Sequence, residues 1–152
     1  MDKQRRYQKT KAMVTLAENM ADLSVCKKMS VGCVIFDRSF SKVHSIGYNG
    51  PPRGTPHESC HGVQGRKCSC IHAEANALIK LDTPDKDLVL FCTVSPCPHC
   101  AGLILNSRKI DTVLFTYTWD NDQAREGIEL LENRIEVQHV EIFQQIVSDP
   151  RP

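Results

Sequence analysis

The chain has 152 residues, of which 41% are hydrophobic and 24% charged, the balance of a soluble globular protein whose length suits one domain able to bury a core without disulfides. A net charge of +1 excludes a global basic field toward nucleic acid or a membrane surface. The opening MDKQRRYQKTK holds no apolar signal region and no run approaches the roughly 18 apolar residues of a membrane span, so a cytosolic protein is expected.

Residues 5–23 read as a helix, with Tyr7, Ala12, Val14, Leu16, Ala17, Met20, Ala21 and Leu23 on one broad stripe. The run VGCVIFD (31–37) reads as a buried strand and the alternating KVHSIGY (42–48) as a second, with Arg38 and Ser39 in the turn of a hairpin. The stretch 50–70 is rich in glycine and proline and carries His57, His61, Cys60, Cys68 and Cys70; so long a loop in a compact domain is functional or is held by something. A helix is predicted over 73–81, a strand over 88–93, and a helix over 98–107 that opens on Pro98. A strand over 111–117, a helix over 121–132 and a strand over 135–142 follow. The order α-β-β-α-β-α-β-α-β implies parallel pairings with crossover helices after the hairpin. The expected fold is α/β, a three-layer α/β/α arrangement with a five-stranded mixed sheet and helices on both faces. It would form one domain over 1–147, followed by a loose tail over 148–152.

The eight cysteines are Cys26, Cys33, Cys60, Cys68, Cys70, Cys92, Cys97 and Cys100. In a reducing compartment, clustered cysteines with nearby histidines point to metal. Two segments, IHAEANAL (71–78) and SPCPHC (95–100), each open a predicted helix. His72 offers an imidazole nitrogen, and Cys97 and Cys100 offer two thiolates at a spacing that shares a helix face. Three protein ligands and an open fourth position describe a catalytic zinc site. Glu74 lies two residues past His72, beside the ion without binding it. A closed knot with Glu74 as fourth ligand is the structural alternative, which the helix placement disfavours.

His72-Ala73-Glu74 and Pro96-Cys97-Pro98-His99-Cys100 match both halves of the H-x-E…P-C-x-x-C signature of zinc nucleobase deaminases. The chain here resembles the cytidine deaminase superfamily in motif and in element order. Both ligand segments start helices, whose N-terminal field favours thiolates. In the implied chemistry the metal activates water and Glu74 carries protons to cytosine N3 and to the departing amine.

GYNGPPRG (47–54) resembles the corresponding segment of the deoxycytidylate (dCMP) deaminases of bacterial and phage type. That resemblance implies conversion of dCMP to dUMP and ammonia, supplying thymidylate synthesis. It also implies a homohexamer, activated by dCTP and inhibited by dTTP with Mg2+. Asn49 would contact the deoxyribose hydroxyl, and Gly47, Tyr48, Asn49 and Gly50 would build the regulatory nucleotide site. Asn49 could equally be a turn residue. Lys27, Lys28 and Arg53 are candidates for the substrate phosphate, Lys28 first among them, against the plainer reading of solvated charges. Ala73 and Ser95 complete the implied substrate set with Trp119, which follows the fourth strand at the sheet's C-terminal edge, where ligands gather, and could instead be packing. Asn76 stands either behind His72 or on the helix surface.

Cys26, Cys60, Cys68 and Cys70 could form a second, structural tetrahedral zinc site, which the resemblance also suggests. Their CxC spacing departs from the usual CxxC, and His57 and His61 compete for one position; free thiols in a loop are the alternative. Cys33 and Cys92 fall in apolar strands and read as core. Two other functions remain open: deamination of a different base (free cytidine or deoxycytidine, tRNA adenosine), or a zinc-bearing nucleotide sensor without turnover.

Overall fold

The computed structural model describes residues 2–56, 58, 60 and 68–141. Helix α1 spans Lys3–Ala21, β1 Gly32–Phe36, β2 Val43–Tyr48, α2 Ala73–Ile79, β3 Leu88–Val94, α3 Pro98–Ser107, β4 Ile110–Tyr117, α4 Asp122–Glu132 and β5 Glu136–His139. The element order is the one expected. Helix α1 begins two residues earlier than predicted because the Asp2 carboxylate accepts the Arg5 N–H at 2.8 Å, capping the first turn. It also ends earlier, which leaves Leu23 53% exposed instead of on the buried stripe. The last strand is shorter than 135–142; Ile142 and the tail 148–152 lie outside the described residues.

The five strands form one mixed sheet in the order β2-β1-β3-β4-β5. Strand β1 is antiparallel to both β2 and β3, while β3, β4 and β5 run parallel. Strands β2 and β3 therefore point the same way, and α2 is the crossover that carries the chain past β1. Each parallel pair needs such a helix, which α3 and α4 supply further along.

Alternate residues of the buried strands feed two cores. On one face Val34, Phe36, Val89, Phe91 and Leu114 pack against Val14 and Ala17 of α1. On the other, Cys33, Ile35, Leu88, Leu90, Cys92 and Val113 pack against Ala73, Ala77, Ala101, Ile104 and Leu131 from the remaining helices. Cys33 and Cys92 are register partners and fully buried, in keeping with their apolar context.

The helices lie close on the sheet. A Cβ on Gly47 would stand 2.2 Å from the Ala73 carbonyl oxygen, so glycine at 47 is what lets the start of α2 reach β2. Gly50 and Ile71 exchange backbone hydrogen bonds of 3.1 and 2.7 Å, closing the base of the long loop and setting Asn49 near His72. At the C-terminal end of the parallel strands the Ser95 N–H donates to the Tyr117 carbonyl at 2.8 Å. No helix among the described residues is long and apolar enough to cross a membrane.

Candidate active site

His72 is the N-cap of α2 and Cys97 the N-cap of α3. The chain reaches both in extended conformation, φ −70° and ψ 154° at His72, φ −71° and ψ 167° at Cys97. Pro98 follows in the first turn of α3. The two thiols thus do not share a helix face as two helical residues. Cys97 stands before the helix and its Sγ accepts the Cys100 N–H at 3.5 Å, capping the first turn of α3.

His72 Nδ1 lies 3.6 Å from Cys97 Sγ and 3.4 Å from Cys100 Sγ. Around a tetrahedral zinc, sulfur and nitrogen ligands at their usual bond lengths stand roughly 3.5 Å apart. The three groups therefore fit one ion in both chemistry and spacing. No fourth protein ligand joins this set among the described residues.

The protonation pattern agrees. The hydrogen bond from Cys100, and after it the one to His72, lowers the Cys97 thiol to about 3. The same bond to Cys97 pushes Cys100 up, with burial adding to it, and Cys97 raises His72. The trio shares its charge with protons, which a metal held by His72, Cys97 and Cys100 would displace.

Glu74, in the first turn of α2, is 4% exposed. Burial holds its carboxyl above the ordinary carboxylate value, opposed by hydrogen bonds from its own N–H and the Cys92 thiol and by His72. A carboxyl raised by burial beside a His/Cys/Cys set can both accept and return a proton.

His72, Ala73, Glu74 and Cys97 open on a cavity of about 300 Å³. Lys28, Asn49, Ser95 and Trp119 line it as well, while Lys27, Arg53, Gly47, Tyr48 and Gly50 do not. Lys28 is the one lysine or arginine among the described lining residues. The Ser95 hydroxyl donates to Thr118 Oγ1 at 3.0 Å, and the Trp119 ring meets Tyr117 edge-on, 5.6 Å between centroids. Trp119 is 43% exposed, so it borders the opening more than it packs.

Asn49 does more than the sequence disclosed. It is 6% exposed, its Oδ1 accepts the Val31 N–H at 2.8 Å, and its Nδ2 donates to the Met29 carbonyl at 2.6 Å. It staples the segment before β1 while facing the cavity. Asn76 does not reach His72's ligand partners; its Nδ2 donates to the Tyr48 carbonyl at 2.8 Å, tying α2 to the end of β2. Met29, Val31, Asn121 and Gln123 also line the cavity and were not singled out in the sequence. For Asn121 a signal existed: it follows the fourth strand and caps α4, accepting the Ala124 N–H at 2.8 Å.

Cys26, Cys60, Cys68 and Cys70 form the second cluster. Cys26 and Cys68 lie 3.6 Å apart, and Cys60 lies 3.7 Å from each. Four sulfurs on one tetrahedral zinc stand roughly 3.8 Å apart, so this set fits a closed site. The CxC spacing is accommodated because Cys60 and Cys26 approach from elsewhere in the chain. His57 and His61, the competing ligands, lie outside the described residues.

Residues 7–117 match the family model for the cytidine and deoxycytidylate deaminase zinc-binding region. The chain belongs to that family. The family's zinc-binding character agrees with the His72, Cys97, Cys100 set. The deoxycytidylate deaminase of Saccharomyces cerevisiae is 33% identical over 131 residues, covering 78% of this chain and 40% of that protein. That of Mycobacterium phage D29 is 33% identical over 108 residues, covering 60% of this chain and 82% of that one. The chain thus spans about 40% of the length of the yeast relative. Among solved structures, the dCMP deaminase of cyanophage S-TIM5 in complex with dCMP and dUMP aligns with a TM-score of 0.77 at 28% identity, covering 92% of this chain and 99% of that one.

Proposed function

We propose that this deaminase-family chain converts dCMP and water to dUMP and ammonia. The observation that carries the reading is Glu74, buried beside an open three-ligand His/Cys/Cys set, in a cavity that also presents Lys28. The likeness to the S-TIM5 enzyme bound to dCMP and dUMP supports the substrate.

His72, Cys97 and Cys100 would hold the catalytic zinc, and Cys26, Cys60, Cys68 and Cys70 a second, structural one. When bound, the catalytic ion supplies Lewis acidity toward water. Glu74 takes a proton at its carboxylate and delivers protons to cytosine N3 and to the leaving amine. Ala73, Ser95 and Trp119 wall the base and sugar, Asn49 faces the sugar, and Lys28 meets the 5′-phosphate. Tyr48 and Gly50, outside the cavity, are candidates for the effector site with Gly47 and Asn49. Activation by dCTP, inhibition by dTTP with Mg2+, a homohexamer, a cytosolic location and one domain over 1–147 belong to the same reading.

Ammonia release from dCMP, deoxycytidine, cytidine and an adenosine-bearing tRNA, each with the zinc-loaded protein, tests it. Preference for dCMP is expected. Equal or better turnover of a nucleoside or the tRNA would move the substrate assignment, and tight dTTP binding without ammonia from any of them would make the protein a sensor. Running the dCMP arm with dCTP or dTTP present tests the regulation, and analytical ultracentrifugation the hexamer.

A further inference from the structure

The segment between α1 and β1 belongs to no helix or strand, yet it carries the cavity's lysine. Its downstream half is held by Asn49 at Met29 and Val31. Its upstream end is held where the Ser24 hydroxyl donates to the Asn49 carbonyl at 2.8 Å and accepts the Cys26 N–H at 3.2 Å. Between these anchors the thiol cluster takes hold. Cys26 is one of its members, and the Lys27 N–H donates to Cys60 Sγ at 3.4 Å. Lys28 is the next residue. Cys26, Cys68 and Cys70 themselves face the cavity that holds His72 and Glu74. The second cluster is therefore a wall of the active site and not a remote staple.

Accepting the dCMP reading above, we propose that the Cys26/Cys60/Cys68/Cys70 cluster, once metallated, is the device that positions Lys28 for the substrate's phosphate, so that it governs the choice of nucleotide over nucleoside. A lysine on a four-carbon stem is a mobile point charge. Its contribution to binding depends on how little freedom remains to be lost when phosphate arrives. Fixing the backbone on its N-terminal side through an N–H···S bond and a thiolate–metal bond removes part of that freedom in advance. Four thiolates on a divalent ion leave an excess of negative charge at this wall, which would repel a phosphate. Lys27 and Lys28, next in sequence, offset it.

The test uses zinc-loaded protein and two probes that differ only in the phosphate, dCMP and deoxycytidine. Binding is read from the fluorescence of Trp119, the sole tryptophan, turnover from ammonia release, and metal content by elemental analysis. Cys60→Ser is the informative change, because Cys60 belongs to the cluster but does not line the cavity. The variant should fall from two ions per chain to one and bind dCMP roughly ten-fold more weakly or worse, the scale of one charge-assisted hydrogen bond. Deoxycytidine should change by less than about two-fold on that same scale. Lys28→Ala should retain both ions, show the same dCMP-selective loss, and add little when combined with Cys60→Ser, since coupled residues are non-additive.

Equal losses for both probes, additive losses in the double variant, or unchanged dCMP binding after loss of the second ion would each overturn the proposal. Should Cys60→Ser fail to fold, Lys28→Ala decides alone: an unaltered dCMP-to-deoxycytidine ratio with both ions present sinks it. The parent protein separates the two levels. No response to dCMP there fails the substrate reading itself, whereas a normal parent with an indifferent Cys60→Ser fails only the positioning role.

Discussion

Gly127 and Pro96 meet backbone to backbone: a Cβ on Gly127 would stand 2.1 Å from the Pro96 carbonyl oxygen and 2.9 Å from the Cys97 carbonyl carbon. Helix α4 thus rests directly on the turn that presents Cys97, a member of the His72/Cys97/Cys100 cluster. Gly127→Ala must push one off the other, and neither backbone can yield cheaply. A loss of about 1–3 kcal/mol is expected, as for overpacked interiors, together with weaker retention of the catalytic ion. Thermal melting and metal analysis on the same preparation check it; an unshifted melting temperature would mean that α4 is not held this tightly.

Glu74→Gln should keep both ions and lower turnover of dCMP by roughly 10²–10⁴-fold, the scale of a positioned acid–base group. Its effect on stability should have the opposite sign. Burial raises the folded pKa of Glu74 above the unfolded value, so just above the unfolded value the folded chain keeps a proton the unfolded chain has released. The stability present below the unfolded pKa is lost as pH rises through the folded one. Glutamine does not titrate. In metal-stripped protein the variant should therefore melt higher than the parent at neutral pH, with the gap closing in acid. Parallel melting curves from pH 5 to 8 read this directly.

Asn49→Ala removes both partners of the backbone at Met29 and Val31. Leaving a buried donor or acceptor unmet costs about 1–3 kcal/mol, so destabilisation in that range is expected along with weaker dCMP binding. Asn49→Asp separates the two functions of the amide. Its carboxylate still accepts from Val31 but no longer donates to Met29. Chemical denaturation for the first effect and Trp119 fluorescence for the second measure them independently.

Cys97→Ser should abolish ammonia release while retaining one ion per chain, held by the four-cysteine cluster. A strong chelator should strip the parent in two steps, because the catalytic set has an open side and the other is closed by four sulfurs. Loss of both ions with Cys97→Ser would show that the two sites are not independent.

Much of this architecture was legible in the chain. The buried apolar run at 31–37, the alternating one at 42–48 and the helix starts at Pro98 and after His72 determined the order of elements and the mixed sheet, because these are local patterns of backbone and burial. The paired HAE and PCxxC motifs likewise pointed to the residues that cluster, His72, Cys97 and Cys100, with Glu74 beside them, since a metal site would demand particular donor atoms at particular offsets. Other matters depended on residues far apart in sequence and could not be read locally. The chain alone did not reveal that Cys97 caps a helix or that Asn49 staples Met29 and Val31; Lys28 was preferred over Lys27 and Arg53 on the resemblance alone, and packing is what puts it on the cavity. Nor did it reveal what became of PCPHC and the loop cysteines together. Sequence separated them into a reacting pair and a staple; the tertiary structure sets Cys97, Cys68 and Cys70 on one cavity, because the Gly50–Ile71 bridge brings the two ends of the loop together next to His72. Chemistry resides in residue types and was determined by the sequence. Which groups share a wall was decided only by packing, where contacts many residues apart are settled together.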